Sequence, residues 1–228
     1  MPAFNEVGIL STSVREVVDG LRLRSLGSEV IVVENGSTDD TLSLARQLAT
    51  EFSELRVESL AAADYGAALR HGLLIARGEY VVNFDVDYYD LAFLDAALAL
   101  LCADPPVVIV VGSKRAPGAA DARAPLRRLV TAVFSSVLRA AFGLQVSDTH
   151  GMKALRRTAV LDAARSCRLA GDLFDTELIL RVERAGMRIE EIPIAVEERR
   201  PARTSILRRV PRTLAGLVRL RAALRTAS

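Results

Sequence analysis

The chain has 228 residues, of which 50% are hydrophobic and 25% are charged, a balance that is typical of a folded globular protein and excludes a disordered one. Its formal net charge is +2 at pH 7, so no overall electrostatic field favours binding to nucleic acid. No apolar run approaches the roughly 20 residues of a membrane-spanning helix, and the N-terminus lacks the basic and then apolar pattern of a signal peptide.

Short β-branched runs alternate with longer helical patterns, which predicts an α/β fold with a single, Rossmann-like, mostly parallel sheet and helices on both faces. The predicted strands cover residues 29–33, 55–60, 79–84, 107–111 and 188–195. The predicted helices begin near Gly8 and then cover residues 41–48, 67–76, 125–142, 174–185 and 205–228. Because the sequence shows neither an internal repeat nor a linker, we expect one domain over residues 1–204, followed by a basic amphipathic helix over residues 205–228.

The two cysteines, Cys102 and Cys167, are far apart and lack the spacing of metal ligands. Free cysteines are typical of a reducing compartment, so we expect a cytoplasmic protein.

Residues 83–87 end an apolar strand with two acidic side chains. Because residues two apart on a strand point to the same side, Asp85 and Asp87 can converge on one ligand. Ligands of parallel sheets bind outside the carboxyl ends of the strands, which is where this pair falls. Two carboxylates there suit Mg²⁺ or Mn²⁺, with a diphosphate filling other coordination positions. The alternative is that both aspartates cap a turn before Leu91.

Polar residues 34–41 follow the first buried strand directly. Gly36 permits a tight turn, and the free N–H groups at the start of the next helix offer contacts to a base, a ribose or a phosphate. Taken alone, this segment is an ordinary turn in which Asp39 and Asp40 cap a helix. Residues 2–6, taken alone, are a loop before a helix.

Together, in this order and spacing, these segments resemble the family 2 glycosyltransferases of GT-A fold. That family has a Pro-Ala-(Tyr/Phe)-Asn-Glu opening, here residues 2–6, and a strand that ends in an acidic turn, here residues 34–41. It also has a Gly-x-Ala-Leu-x-x-Gly helix, here residues 66–72, and an Asp-x-Asp strand end, here residues 85–87.

Three later segments, residues 112–115, 147–157 and 174–178, resemble the polyprenyl-phosphate branch of the family. That branch contains the dolichyl-phosphate mannose synthases and the dolichyl-phosphate glucosyltransferases. The resemblance implies inverting transfer of a hexose from a nucleotide diphosphate sugar, of UDP-glucose or GDP-mannose type, to a polyprenyl phosphate.

The resemblance also implies a role for individual residues. Those expected at the base and ribose of the donor are Pro2, Ala3, Glu6, Glu34 and Gly36. Asp85 would face the ribose or the metal, and Asp87 would be the principal ligand of Mg²⁺ or Mn²⁺.

Lys114 and Arg115 fall where that branch holds donor and acceptor phosphates, although the pair could also be a solvated loop. A lipid phosphate arrives ionised and needs little base assistance. A hydroxyl acceptor would require a general base, for which Asp175 and Asp148 are the candidates by position. Asp175 alternatively caps the helix that begins near Thr176.

Three other side chains can be assigned from the sequence. Glu177 could be a buried partner of Lys153 or Arg115. His150 lies inside the segment 147–157 and is a functional candidate, whereas we expect His71 on the surface.

The sequence departs from the family pattern in three places. Glu34-Asn35 replaces the usual Asp-Asp pair, and Tyr89, beside Asp90, stands where the mannose synthases have a glutamine metal ligand. The family's first strand normally precedes residues 2–6, whereas here only Met1 does. We expect that the start lies upstream; otherwise the sheet lacks its central strand.

The tail repeats apolar residues at helical spacing, and these are Ile206, Val210, Leu214, Leu217, Val218 and Leu224. Arginines occupy a different face, and these are Arg208, Arg212 and Arg219. Such a helix can lie in an anionic membrane interface, which would make the protein peripheral on the cytoplasmic face of a membrane. The alternative is a helix packed on the domain with its arginines solvated.

Other functions stay open on the sequence alone. One is a soluble sugar transferase acting on a small hydroxylated acceptor. Another is a sugar-phosphate nucleotidyltransferase, although the glycine-rich signature of those enzymes near the N-terminus is not found. A relative without catalytic activity is the last, but Asp87, whose loss would support it, is present.

Overall fold

A computed structural model describes residues 1–121, 125–196 and 206–225 of the chain. The first elements are β1 (Pro2–Ala3), α1 (Leu10–Leu23), β2 (Val30–Asn35), α2 (Thr41–Glu51), β3 (Leu55–Leu60), α3 (Tyr65–Ile75), β4 (Tyr80–Asn83), α4 (Leu91–Leu101) and β5 (Ile109–Ser113). They are followed by β6 (Ala120–Asp121), α5 (Pro125–Phe142), β7 (Lys153–Arg156), α6 (Arg157–Ser166), α7 (Phe174–Arg184), β8 (Ile189–Pro193), β9 (Ala195–Val196) and α8 (Ile206–Arg225).

The strands form two main sheets whose pairings are mostly parallel. One has the order β1-β2-β3 and is parallel throughout. The other has the order β4-β7-β5-β8, in which β7 runs antiparallel to β4 and β5 while β8 runs parallel to β5. A short parallel pair, β6 and β9, stands apart. The predicted α/β class is confirmed, but the single sheet is divided.

Helices cover both faces of the strands, as two hydrophobic clusters show. Val110 of β5 packs in a cluster with residues of α1, α2 and α4. Its neighbours Ile109 and Val111 pack in a second cluster, with residues of α3, α5, α6, α7 and α8. This alternation follows from the two-residue period of a strand.

A cavity of about 640 Å³ separates the two main sheets, and residues of β2 and β4 line it together with apolar residues of α1, α3 and α4. β1, which was predicted to be a loop, pairs only with Val33 and Glu34 of β2. The ammonium group of Met1 donates to the carbonyl oxygen of Ile31 at 2.8 Å. Within the described ranges, β4 pairs only with β7. The facing edges of the two sheets are therefore largely unpaired.

The C-terminal half of α8 packs on the domain. Leu220 and Leu224 are buried, and a Cβ added at Gly216 would lie 2.4 Å from the Leu173 side chain. Val218, which was expected on the same face as Leu224, is 72% exposed, because the buried stripe runs through Gly216, Leu220 and Leu224 instead.

The predicted apolar and arginine faces of α8 cannot be compared with the structure in the N-terminal half of the helix. The side chains of residues 206–214, Arg208 and Arg212 among them, lie outside the described residues, and Arg219 is exposed. Among the helices of the described ranges, none combines the length and the apolar content needed to cross a membrane.

Candidate active site

The turn after β2 is shaped by a glycine and a buried carboxylate. Gly36 has a φ of +68°, and a Cβ there would lie 3.0 Å from the carbonyl carbon of Ala62, so glycine suits this position on both counts. The Glu34 carboxylate accepts hydrogen bonds from the Ser37 N–H and from the Ser59 hydroxyl, the latter at 2.7 Å. Glu34 therefore organises the turn.

The opening segment of the chain is fastened to this turn. The Asn5 side-chain oxygen accepts from the Thr38 N–H at 2.8 Å, and the Asn5 N–H donates to the Ser37 hydroxyl at 3.0 Å. The Glu6 N–H donates to the Thr41 hydroxyl at 2.8 Å. These bonds explain why two segments about thirty residues apart in the sequence form one wall of a site.

The start of α3 supplies a residue that the sequence analysis missed. Asp64 caps this helix by accepting from the Ala67 N–H at 2.8 Å, and it also accepts from the Gly171 N–H at 2.8 Å. A Cβ at Gly66 would lie 2.4 Å from the Gly171 carbonyl oxygen, so the backbones approach closely there. This packing places Tyr65 at the edge of the site.

Asp85 and Asp87 lie just beyond the end of β4. The Tyr65 hydroxyl donates to Asp85 Oδ1 at 2.8 Å. Burial raises the pKa of the Asp85 carboxyl, the charge of Asp87 raises it further, and the Tyr65 hydrogen bond and the charge of Lys153 oppose the shift. Burial, together with the charge of Asp85, raises the pKa of Tyr65 well above its ordinary value. The hydroxyl therefore stays a donor.

A cavity of about 370 Å³ collects these segments, and it is lined by Pro2, Ala3, Phe4, Glu6, Asn35, Ala63, Tyr65, Asp85, Val86 and Asp87. Five of the seven residues expected at the donor are thus brought together. The other two, Glu34 and Gly36, shape the adjoining turn and do not line this cavity. Their neighbour Asn35 lines it instead, because the Glu34 carboxylate is engaged with Ser37 and Ser59.

The carboxylates of Asp85 and Asp87 fit a hard divalent cation. The described residues contain no group of three or more acidic, histidine or cysteine side chains that could hold a metal, and a bound diphosphate and water are the usual further ligands of Mg²⁺ at such a carboxylate pair. The cap before α4 is made by Asp90, which accepts from the Ala92 and Phe93 N–H groups. The helix cap next to Leu91 is thus made by Asp90, and not by Asp85 or Asp87.

Tyr89, which stands where the mannose synthases have a glutamine metal ligand, makes a hydrogen bond to α1. Its hydroxyl donates to a carboxylate oxygen of Glu16 at 2.5 Å. Together with the capping role of Asp90, this leaves Asp85 and Asp87 as the acidic pair of the cavity.

Lys153, at the start of β7, is almost fully buried and was not singled out as a site residue from the sequence. Its ammonium group lies 3.0 Å from the Asp175 carboxylate and donates to the Gly151 carbonyl oxygen at 2.8 Å. Its charge also acts on Asp85 and Asp148. The sequence did contain a signal that could have pointed to Lys153: it and Lys114 are the only lysines among 30 lysine and arginine residues.

The end of β5 carries the expected phosphate residues. The Lys114 ammonium group lies 3.7 Å from the Asp148 carboxylate. Burial alone would raise the pKa of Asp148, but the charge of Lys114 and a hydrogen bond from the His150 N–H outweigh it and lower the pKa. Arg115 Nε is buried without a hydrogen-bond partner, so this guanidinium retains a donor for a ligand.

The two candidate general bases have similar surroundings. Asp175 and Asp148 are buried, and each is paired with a lysine. Asp175 does not cap α7, whose N-cap is Leu173. Asp175 and Lys153 also line the cavity of about 640 Å³, and the general-base role of Asp175 and Asp148 stays a prediction.

The remaining candidates have other partners. Glu177 is not a partner of Lys153 or Arg115: its carboxylate accepts from the Arg181 guanidinium at 2.6 Å and from the backbone N–H of Leu169 at 2.8 Å.

The two histidines differ in their surroundings. The His150 ring lies 5.8 Å from the Phe134 ring, measured between centroids. His71, expected on the surface, lies 3.5 Å from Glu58 and is 36% exposed.

The chain is similar to known proteins in both sequence and fold. The chain is 29% identical over 214 residues to Glycosyltransferase AglD of Haloferax volcanii, covering 91% of this chain and 34% of that protein. It is 27% identical over 223 residues to the dolichyl-phosphate beta-glucosyltransferase of Saccharomyces cerevisiae, covering 87% of this chain and 66% of that protein. It is 30% identical over 210 residues to the undecaprenyl-phosphate mannosyltransferase of Micrococcus luteus, covering 87% and 82%. The chain thus spans about a third of the first relative and just under two thirds of the second.

Among solved structures, glucosyl-3-phosphoglycerate synthase of Mycobacterium tuberculosis, in complex with Mn²⁺ and UDP-glucose, is similar in fold. The TM-score is 0.68 at 22% identity, over 96% of this chain and 76% of that one. The likeness confirms the GT-A fold. The sequence model of Glycosyl transferase family 2 matches residues 1–164. The chain therefore belongs to glycosyl transferase family 2.

Proposed function

We propose that the chain transfers a hexose, with inversion, from a nucleotide diphosphate sugar of UDP-glucose or GDP-mannose type to a polyprenyl phosphate on the cytoplasmic face of a membrane. Membership of the family excludes the nucleotidyltransferase alternative. Two of the relatives are named for dolichyl-phosphate or undecaprenyl-phosphate transfer, which favours this class of acceptor.

The donor side of the proposal is supported by the cavity of about 370 Å³. Pro2, Ala3 and Glu6 would face the base and ribose, with Asn35 on the wall contributed by β2. Asp85 and Asp87 would hold Mg²⁺ or Mn²⁺, whose chemistry there is to neutralise the charge that develops on a departing nucleotide diphosphate. The Tyr65 hydrogen bond would keep Asp85 oriented for that task.

The observation that carries the acceptor assignment is the pairing of both candidate bases. Asp148 and Asp175 are buried and each is paired with a lysine, which weakens either carboxylate as a base for deprotonating a hydroxyl. A phosphate acceptor is already ionised and needs no such group. Lys114 and Arg115 offer the cationic donors that a phosphate requires, and Arg115 has an unpaired buried Nε.

A small phosphorylated acceptor is the second candidate. Glucosyl-3-phosphoglycerate synthase of Mycobacterium tuberculosis, which is similar in fold, has been solved in complex with phosphoglyceric acid and with glycerol 3-phosphate. Such an acceptor would present both a phosphate and a hydroxyl, and the hydroxyl would need a base.

The test compares acceptors directly. UDP-glucose and GDP-mannose are each incubated with Mn²⁺ and either a short, water-soluble polyprenyl phosphate or 3-phosphoglycerate, and the products are resolved by mass spectrometry. The proposal expects a hexosyl polyprenyl phosphate whose formation stops when EDTA is added. Product with 3-phosphoglycerate alone would assign the second candidate instead.

A further inference from the structure

The outward face of α5 carries a stripe of exposed apolar side chains. Four of the eight exposed large hydrophobic side chains that the structure describes belong to this helix, and they are Leu129 (59% exposed), Val130 (39%), Val133 (55%) and Val137 (39%). Val133 is four residues from both Leu129 and Val137 and three from Val130, which puts the four side chains on one side of the helix. A stripe of this size on a single helix differs from the scattered apolar residues of ordinary surfaces.

The opposite face of α5 attaches the helix to the domain. Ser135 and Leu138 are buried, and the Phe134 ring contacts the His150 ring. Leu138 belongs to the second hydrophobic cluster, and Phe134 and Phe142 pack against it. The helix is therefore apolar on two sides: one side packs on the domain, and the stripe is turned outward.

Charge indicates what this face meets. α5 contains no acidic residue in its 18 positions, and it carries arginines at 127, 128 and 139. Arg128 and Arg139 are exposed. An apolar stripe flanked by cations matches an anionic lipid surface, where the stripe enters the acyl boundary and the arginines meet head groups.

We propose that this face of α5, through Leu129, Val130, Val133 and Val137, docks the protein on an anionic membrane surface. The sequence analysis predicted this role for α8. In the described half of α8, however, Leu220 and Leu224 pack inward, and Val218 is the one large hydrophobic side chain exposed.

The position of α5 agrees with a lipid-linked acceptor. Phe134 contacts His150, whose backbone N–H is bonded to Asp148, the partner of Lys114. The docking face is therefore joined by direct contacts to the cationic end of β5. This step rests on the proposed function, whereas membrane docking itself does not.

The experiment measures binding to sonicated vesicles of equal parts phosphatidylglycerol and phosphatidylcholine, by sedimentation, with neither donor nor acceptor present. Val133→Glu removes apolar contact and adds one negative charge at an exposed site, so we expect about a tenfold or greater loss of vesicle affinity. The matched controls are Leu23→Glu, at an 86% exposed position of α1, and Val218→Glu, at a 72% exposed position of α8. Both make the same change of charge, and we expect less than about a twofold effect from either.

Three outcomes would overturn the proposal. One is absence of vesicle binding by the unaltered chain, and another is an equal loss in Val133→Glu and Leu23→Glu. The third is a dimer, seen by analytical ultracentrifugation without lipid, that Val133→Glu dissociates, since the face would then bind a second copy. Transfer to a water-soluble acceptor is assayed separately, so failure of docking and failure of the transferase assignment remain distinguishable.

Discussion

The ammonium group of Lys153 lies 3.0 Å from the carboxylate of Asp175, and both side chains are buried. Removing one partner leaves an uncompensated buried charge, which costs about 3–5 kcal/mol. We therefore expect Asp175→Asn to lower the free energy of unfolding by an amount of that order, measured by urea denaturation. A variant that keeps full stability but loses turnover would instead support the role of general base for Asp175.

Asp87 is the exposed member of the acidic pair in the donor cavity. We expect Asp87→Ala to reduce transfer by a factor of about 10²–10³, because metal stabilisation of the leaving group contributes several kcal/mol. The melting temperature should stay the same. The matched control is Asp90→Ala, which removes the cap of α4 at a cost of about 1 kcal/mol and should leave transfer intact. Full activity of Asp87→Ala would remove the metal assignment.

Tyr65 is a positioning residue for Asp85, since its hydroxyl donates to Oδ1. We expect Tyr65→Phe to weaken the binding of Mn²⁺ with UDP about tenfold, which is the scale of lost support behind a metal ligand. Isothermal titration calorimetry measures this without turnover. The control is Tyr80→Phe, because the Tyr80 hydroxyl accepts from the Cys102 thiol and Tyr80 does not line the donor cavity. Equal affinities for both variants would exclude the positioning role.

The predictable parts of this fold are those determined by local pattern. β3 was predicted with both of its boundaries, 55 and 60, and α5 with both of its boundaries, 125 and 142. The turn at Gly36 was predicted because a positive φ is a local requirement of the backbone. Pairing between distant residues has no such local signal. Lys153 meets Asp175, and Tyr65 meets Asp85, only because β7, α7 and α3 converge at one end of the sheet.

The sequence also could not predict which face of a helix is buried. Periodicity shows which residues share a face, but the direction of that face depends on what packs against it. Val133 and Val137 repeat as core residues do, yet α5 turns them outward. In α8, Leu220 is buried although it was not among the predicted apolar face, because Gly216 brings that side of the helix against Leu173.

The two cysteines should differ in reactivity. Cys102 is exposed and Cys167 is buried, and burial raises the pKa of the Cys167 thiol to about 12. Since the thiolate is the reactive form, we expect one thiol to react rapidly with Ellman's reagent in the native protein and the second only after denaturation. Cys102→Ser should abolish the fast phase. Two fast thiols in the native protein would contradict the burial of Cys167.

The cavity of about 640 Å³ between β2 and β4 affects stability through an adjoining charge. Burial lowers the pKa of the Met1 ammonium group from 8.0 to about 6. Between these values the unfolded state binds more protons than the folded state, so stability rises with pH across this window and is lost as pH falls from 8 to 6. A shift of this size corresponds to about 2–3 kcal/mol.

An apolar extension at the N-terminus is expected to fill that cavity. An apolar, β-branched segment of about five residues, a usual strand length, joined ahead of Met1 would convert the buried ammonium into an amide. It would also pair with the open edges of β2 and β4. We expect a higher Tm than that of the 228-residue chain and loss of the dependence of stability on pH between 6 and 8. A serine-glycine extension of equal length is the matched control, since it removes the charge without supplying apolar contact. Equal Tm values for the two extensions would show that the cavity does not take a strand.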